Sequence, residues 1–160
     1  MSLKRKIAII VFVSLLTFAI DQIIKLLVVR NFPAGIPVPI VDDFLRITLI
    51  FNPNTAFGIS LGQNFPYTVV AGAISVFVLI MALMEKNVWN IVAYSMILGG
   101  ALGNIFDRII RGEVVDFIDM GIGENLRWYV FNGADAFITI GIIMLMVEGM
   151  VAHLRGQKKD

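Results

Sequence analysis

Residues 7–29 run Ile-Ala-Ile-Ile-Val-Phe-Val-Ser-Leu-Leu-Thr-Phe-Ala-Ile-Asp-Gln-Ile-Ile-Lys-Leu-Leu-Val-Val, with Asp21 and Lys25 the sole charges. A helix that crosses a bilayer needs about 20 mostly apolar residues. This stretch qualifies, as do Tyr67–Met84, Val88–Ile110 and Ala136–Ala152. Lys4, Arg5 and Lys6 precede the first run, as they would in a signal peptide. No small-x-small cleavage site follows it and three further spans do, so it reads as a retained helix. Across all 160 residues, 58% are hydrophobic and 16% charged, where about 45–50% and 25% are usual in soluble domains. A mean hydropathy of +0.86 excludes a free-standing cytosolic enzyme, a disordered chain and a nucleic-acid module. With 13 Lys+Arg against 12 Asp+Glu, a net charge of +1 gives no polybasic face. There is no cysteine, and the single histidine, His153, lies in a basic tail. Disulfides, a thiolate nucleophile, a Cys-built zinc site and a Ser/His pair are thereby set aside. The expectation is one integral membrane domain over residues 1–160, with no metal and no cofactor.

Orientation follows from the distribution of lysine and arginine. Lys4, Arg5, Lys6, Lys86, Arg155, Lys158 and Lys159 gather on one side; Arg30, Arg46, Arg108, Arg111 and Arg127 lie on the other. The larger group places both termini and the Glu85-Lys86-Asn87 turn in the cytoplasm. The loops Arg30–Pro66 and Arg111–Asn132 then face outward. Leu45-Arg46-Ile47-Thr48-Leu49-Ile50-Phe51 is rich in β-branched residues with a partial period of two, a strand pattern. Glu113–Ile118 and Leu126–Phe131 read the same way. Pro33, Pro37 and Pro39 forbid a helix ahead of the first strand. The expected fold is a membrane α-helical protein: four transmembrane helices with a small extracytoplasmic β-sheet on the outer face. Trp128 and Tyr129 are expected at headgroup depth, and Arg30–Phe44 as a loop flap over a site on the outer face, with the sheet beside it a cradle.

A charge at mid-span costs about 2.5–3.5 kcal/mol on insertion scales, so charges in these helices need a partner or a task. Asp21 and Lys25 are four apart with the acid first, the favourable order on one helix face. They read as a salt bridge bracing the outer end of the first helix. In Gly99-Gly100-Ala101-Leu102-Gly103-Asn104-Ile105-Phe106-Asp107-Arg108, Gly99 and Gly103 admit a neighbouring helix. Asn104, Asp107, Arg108 and Arg111 fall at i, i+3, i+4 and i+7, one polar stripe up the outer end of the third helix. A solvated helix end accounts for Arg111. It does not account for Asn104, a full turn deeper among apolar residues.

Two further carboxylates keep apolar company: Asp116 in Val114-Val115-Asp116-Phe117-Ile118, and Asp135 in Phe131-Asn132-Gly133-Ala134-Asp135-Ala136-Phe137. Each has a structural explanation. Asn132 can cap the fourth helix with Asp135 at its third position, and Asp116 and Asp119 can be solvated strand ends. Together Asp116 and Asp135 also have a chemical one. Two carboxylates a few ångströms apart cannot both ionise cheaply, so one keeps its proton near neutral pH. The ionised member takes a proton from water while the other donates to a carbonyl oxygen or a departing nitrogen. Spacing leaves both explanations open, and the pair titrates as a unit, so base and acid are not distinguished. A Ser/Lys dyad on Lys25 finds no cue at Ser14, Ser60, Ser75 or Ser95, and no GxSG or GxGD motif is present. A small four-helix transporter or channel is the serious rival. Against it, the polar groups gather at one membrane face; Glu85 and Glu148 lie near the other.

Asp21-Gln22-x-x-Lys25, Asn52 through Gly58, Gly99–Arg108, Gly112-Glu113-Val114-Val115-Asp116-Phe117-Ile118-Asp119 and Phe131-Asn132-x-Ala134-Asp135 together resemble the lipoprotein signal peptidases (signal peptidase II). The resemblance covers residues 21–141. It implies an aspartic endopeptidase of the bacterial inner membrane, a single peptidase domain over residues 1–160. Such an enzyme removes the signal peptide of a prolipoprotein just before a cysteine that already carries diacylglycerol. Asp116 and Asp135 would be the catalytic dyad acting on water. Asn52, Asn104, Arg108, Asn132 and Ala134 would bind substrate or support the site, and Asp21, Lys25 and Asp107 would hold the helix ends in register. The implied partners are diacylglyceryl-modified prolipoprotein signal peptides and membrane lipids, with no nucleic acid, no cofactor and the chain acting as a monomer. A catalytically silent lipoprotein-binding relative is the other alternative. One segment departs from the family pattern, which usually reads Asn-x-Gly-Ala-Ala-Phe-Gly where this chain has Asn52-Pro53-Asn54-Thr55-Ala56-Phe57-Gly58. Asn54 tolerates the left-handed conformation that glycine favours, so the role of Asn52 carries over while the local backbone is this chain's own.

Overall fold

A computed structural model describes residues 1–53, 66–123 and 126–157. Positions 54–58, which include the divergent Asn54 and Thr55, lie outside the described residues, as do Ser60, Lys158 and Lys159. In chain order the elements are α1 (Leu3–Asn31), β1 (Val38–Val41), β2 (Leu45–Asn52), α2 (Tyr67–Met84), α3 (Val88–Arg111), β3 (Val114–Ile122), β4 (Leu126–Arg127) and α4 (Gly133–Gln157). All four helices are long and apolar enough to cross a membrane. Their ends follow local chemistry. The Asn87 side chain accepts from the Trp89 N–H at 3.0 Å, a side-chain cap that opens α3. The same helix stops at Gly112, whose φ of +80° is left-handed. α4 starts at Gly133, ahead of the apolar run that begins at Ala136, because a polar turn winds its first residues.

α3 lies at the centre and packs against α1, α2 and α4. Small residues permit this. Gly99 faces Ser14 and Thr17 of α1, and Gly103 faces the Asp21 carboxylate. On the opposite side, a Cβ at Gly100 would stand 2.5 Å from the backbone oxygen of Ala134 on α4. The Gly99–Gly103 pair thus admits a helix as its spacing predicts. An apolar core of Ile10, Val78, Ala82, Ile91, Ile97 and Leu98 fills the bundle toward one end. Phe12, Val69, Phe77 and Met146 remain exposed on its flanks, the surface that a bilayer would cover. Lys6 Nζ donates to the Leu83 oxygen at 2.5 Å, and Asn87 Nδ2 to Glu148 Oε1 at 2.8 Å. The start of α1 and the last part of α4 therefore gather with the α2–α3 turn, and the sheet caps the other end.

That sheet is antiparallel in the order β1-β2-β3-β4. β2 and β3 pair from Leu45 opposite Met120 to Asn52 opposite Val114, with an irregularity between Ile47 and Ile50. Leu49, Val115 and Phe117 are buried with Val28 of α1, which docks the sheet on the bundle. Part of the proline-rich stretch expected as a flap is the edge strand β1. Pro39 sits opposite Arg46 there, a place where a missing N–H is tolerated. β3 runs past Ile118 to Ile122. In contrast, Leu126–Phe131 forms a strand only at Leu126–Arg127, and Phe131 rejoins β3 through a lone bridge to Ile118. Asp119 is no solvated strand end. It is buried, paired with Arg127 Nε at 2.7 Å and accepting from Thr48 Oγ1 at 2.8 Å, which ties β2, β3 and β4 together.

The contact at Gly100 generates a stability prediction. Gly100→Ala should lower the unfolding midpoint in detergent, by about 1–3 kcal/mol of overpacking, whereas Gly72→Ala, where a Cβ meets nothing within 4 Å, should not. Thermal unfolding of the two purified variants compares them directly.

Candidate active site

The site begins with three backbone hydrogen bonds. Phe131 N–H donates to the Ile118 oxygen at 3.1 Å, and its own oxygen accepts from the N–H groups of Phe117 and Ile118 at 3.0 and 2.7 Å. This clamp fastens the chain ahead of α4 to β3, and so brings Asn132 beside Asp116. Asn132 then opens α4 by a reciprocal cap. Its Oδ1 accepts from the Asp135 N–H at 3.0 Å, and its N–H donates to Asp135 Oδ2 at 3.3 Å. The capping role expected for Asn132 and Asp135 is therefore present.

The same side chains form one amide–carboxylate network. Asn132 Nδ2 donates to Asp116 Oδ1 at 2.7 Å and to Asn104 Oδ1 at 3.0 Å. Asn104 Nδ2 donates to Asp135 Oδ1 at 2.8 Å, and Asn52 Nδ2 to Asp116 Oδ2 at 2.6 Å. Asp116 and Asn132 are buried. Asp116 lies on β3, a short turn beyond the end of α3, and Asp135 in the first turn of α4. Burial pushes the Asp116 carboxyl up to about 6; the Asn52 amide opposes that rise, and the nearby Asp135 charge adds to it.

Beneath the network lies a second polar cluster. Lys25 Nζ is 2.8 Å from Asp21 Oδ2 and 2.8 Å from Asp107 Oδ2, with all three side chains 0% exposed. It also donates to Asn104 Oδ1 at 3.0 Å. Asp21 Oδ1 accepts the Ala134 N–H at 2.7 Å, which is how Ala134 enters the site. Asp107 Oδ2 accepts the Val115 N–H at 3.3 Å. Arg108 Nη1 donates to the Asn104 oxygen at 3.3 Å, and Arg111 reaches Asp107 at 3.8 Å. Every site residue singled out from the sequence is thus within this assembly.

Sequence reasoning missed three features. Gln22 Nε2 bridges Asp21 Oδ2, the Gly103 oxygen and Asp107 Oδ1 at 3.1, 3.3 and 3.4 Å; its place inside Asp21-Gln22-x-x-Lys25 was the available signal. The Thr48–Asp119–Arg127 link is a cross-strand contact with no local cue. A cleft of about 770 Å³ between the sheet and α4 is lined by Phe44, Leu126, Trp128, Phe131 and Ile140, with Asp135 on its wall. Its walls are almost wholly apolar.

A buried carboxylate and a half-buried one sharing one network, in a bundle this apolar, mark a membrane-bound enzyme, and known structures agree. Two solved structures described as bacterial membrane enzymes superpose on the chain with TM-scores of 0.78 and 0.75, each at 30% identity. They cover 88% and 87% of this chain, and the match spans 87% and 90% of theirs. The family model for signal peptidase (SPase) II matches residues 13–151, and the chain belongs to that family of membrane proteases. Among relatives, the lipoprotein signal peptidase of Thermodesulfovibrio yellowstonii is 41% identical over 94% of this chain and 99% of its own. That of Aeromonas hydrophila subsp. hydrophila is 38% identical over 92% and 89%, and that of Mycobacterium avium 36% over 93% and 82%.

Asp116 supplies a pH-linked prediction. Its carboxyl rises from 3.8 to about 6 on folding, so between those values the native state holds a proton that the unfolded chain has lost. Its contribution to stability is whole below about 4 and is lost as pH rises through 6, a change on the order of 3 kcal/mol. The stability difference between wild type and Asp116→Asn, followed from pH 4 to 7.5, should shift toward the variant by that amount.

Proposed function

We propose that the chain cleaves the signal peptide from diacylglyceryl-modified prolipoproteins, with Asp116 and Asp135 as the dyad that activates water. The observation that carries this reading is Asn132, which bonds Asp116 through its side-chain amide and Asp135 through its helix cap. Two carboxylates held on one residue share a proton economically. The ionised member draws a proton from water as that water attacks the scissile carbonyl. The protonated member donates its proton to the carbonyl oxygen. The other member, now carrying the water's proton, passes it to the leaving nitrogen as the C–N bond breaks, and the first recovers its proton from the gem-diol. Asn52, Asn104 and Asn132 aim their N–H groups at the carboxylates and hold them in that geometry.

The apolar cleft that ends at Asp135 suits the acyl chains of a diacylglyceryl cysteine or the apolar side chains of a signal peptide. Trp128 and Leu126 at its mouth are 63% and 68% exposed, consistent with a rim at headgroup level. The lysine and arginine excess at the opposite end orients both termini to the cytoplasm of a bacterial inner membrane. Sheet and cleft then face outward, where the cleavage site of an exported precursor emerges. Every described residue of the assembly comes from one chain, which supports a monomer with a single peptidase domain as the working unit.

Incubation of purified protein with a diacylglyceryl-modified precursor tests the reading. Asp116→Asn and Asp135→Asn should each reduce release of the shorter product by at least about 1,000-fold, with helical content unchanged by circular dichroism. Near-normal turnover in either variant refutes the dyad. Separately, Ile140→Trp, which fills the cleft, should raise KM about tenfold with little change in kcat; an unchanged KM removes the cleft from substrate binding.

A further inference from the structure

We propose that Lys25 is a positioning residue for the dyad, fixing which side of the Asn104 amide Asp135 meets. The proposal rests on the dyad reading above. An asparagine amide has an oxygen and an NH2 of nearly equal shape, and its neighbours decide which way round it sits. A lysine ammonium offers three donors and no acceptor. The three donors of Lys25 are matched by three acceptors: Asp21 Oδ2 and Asp107 Oδ2 at 2.8 Å, and Asn104 Oδ1 at 3.0 Å. The Asn104 oxygen must therefore face Lys25, and its NH2 must face Asp135, 2.8 Å away.

Asn132 reinforces the same choice. Its own oxygen is committed to the Asp135 N–H, so its NH2 is the group that meets Asn104 Oδ1 at 3.0 Å. Two donors converge on that oxygen. Were the Asn104 amide reversed, its oxygen would face Asp135 Oδ1, lone pair against lone pair, unless Asp135 took the proton. Its NH2 would also meet two donors. The ion pair with Asp107 already braces α1 against α3; the bond to Asn104, which also crosses between these helices, has a second consequence. It sets the Asn104 amide as a donor to one member of the dyad.

Lys25→Met alone strands two buried carboxylates, so the test pairs it with Asp107→Asn, which keeps the cluster's net charge. Asp21 retains the Ala134 and Gln22 donors in that double variant. With the thermal midpoint in detergent confirming the fold, kcat on the diacylglyceryl-modified precursor should fall about 10–100-fold, as when a supporting hydrogen bond is lost, while KM stays within about twofold. A folded double variant with wild-type kcat overturns the proposal, as does an equal loss in KM alone. Asn104→Asp is the second variant: an acceptor for Lys25 remains at position 104 but the donor to Asp135 is gone, and the thermal midpoint again confirms the fold. This variant too should lose kcat at constant KM, and full turnover overturns the proposal even if the double variant does not fold. Asp116→Asn and Asp135→Asn run alongside. If these retain activity, the dyad reading fails; if they are dead while the double variant is fully active, only the role of Lys25 fails.

Discussion

Asp21, Lys25 and Asp107 are charges removed from water, and each is tolerable only because the others are there. Such a cluster adds little net stability, since desolvation consumes most of the Coulombic gain, yet removing one member is costly. What it contributes is registry. α1 and α3 have one relative position that satisfies all three charges. The second oxygen of Asp21 holds the Ala134 N–H and so places α4; Asp107 holds the Val115 N–H and so places the start of β3. The three elements that carry Asn104, Asp135 and Asp116 are therefore all referred to one buried point.

Above that point, a structural role and the proposed chemical one share the same atoms. Asn132 and Asp135 form a helix cap that many soluble helices would display, and the positive end of α4 favours a carboxylate there whether or not it does chemistry. Asp116 has no such compensation from a helix. It is buried on a strand with its charge opposed, so the protein carries a carboxyl that weakens it at neutral pH. Sites that trade stability in this way are common where a proton must be moved.

The sequence made some layers legible and hid others, for physical reasons. The spans of Ile7–Val29, Tyr67–Met84 and Val88–Ile110 were plain because lipid demands long apolar runs, and the observed helices contain them. The strand at Leu45–Phe51 showed its β-branched alternation and is β2. Leu126–Phe131 has similar composition but pairs at few positions, because Phe131 is drawn to Ile118 to deliver Asn132. Asp119 looked like an exposed strand end; its partner Arg127 lies across a turn, and nothing in either residue's neighbourhood announces the pair. The polar stripe Asn104–Asp107–Arg108 was readable from helical spacing. That Lys25 on another helix completes it is a tertiary fact which no single helix face could disclose.

The two carboxylates of the site stand on separately built bodies, one on the sheet and one on the bundle, joined by the Phe131 clamp and the contact of Val28 with Leu49, Val115 and Phe117. Under the proposed dyad, chemistry becomes a gauge of docking. A surfactant that lets the platform ride slightly higher on its pedestal parts the acids before any helix has melted. Loss of turnover would then run ahead of denaturation, and a retained helical spectrum would be no certificate of a working enzyme.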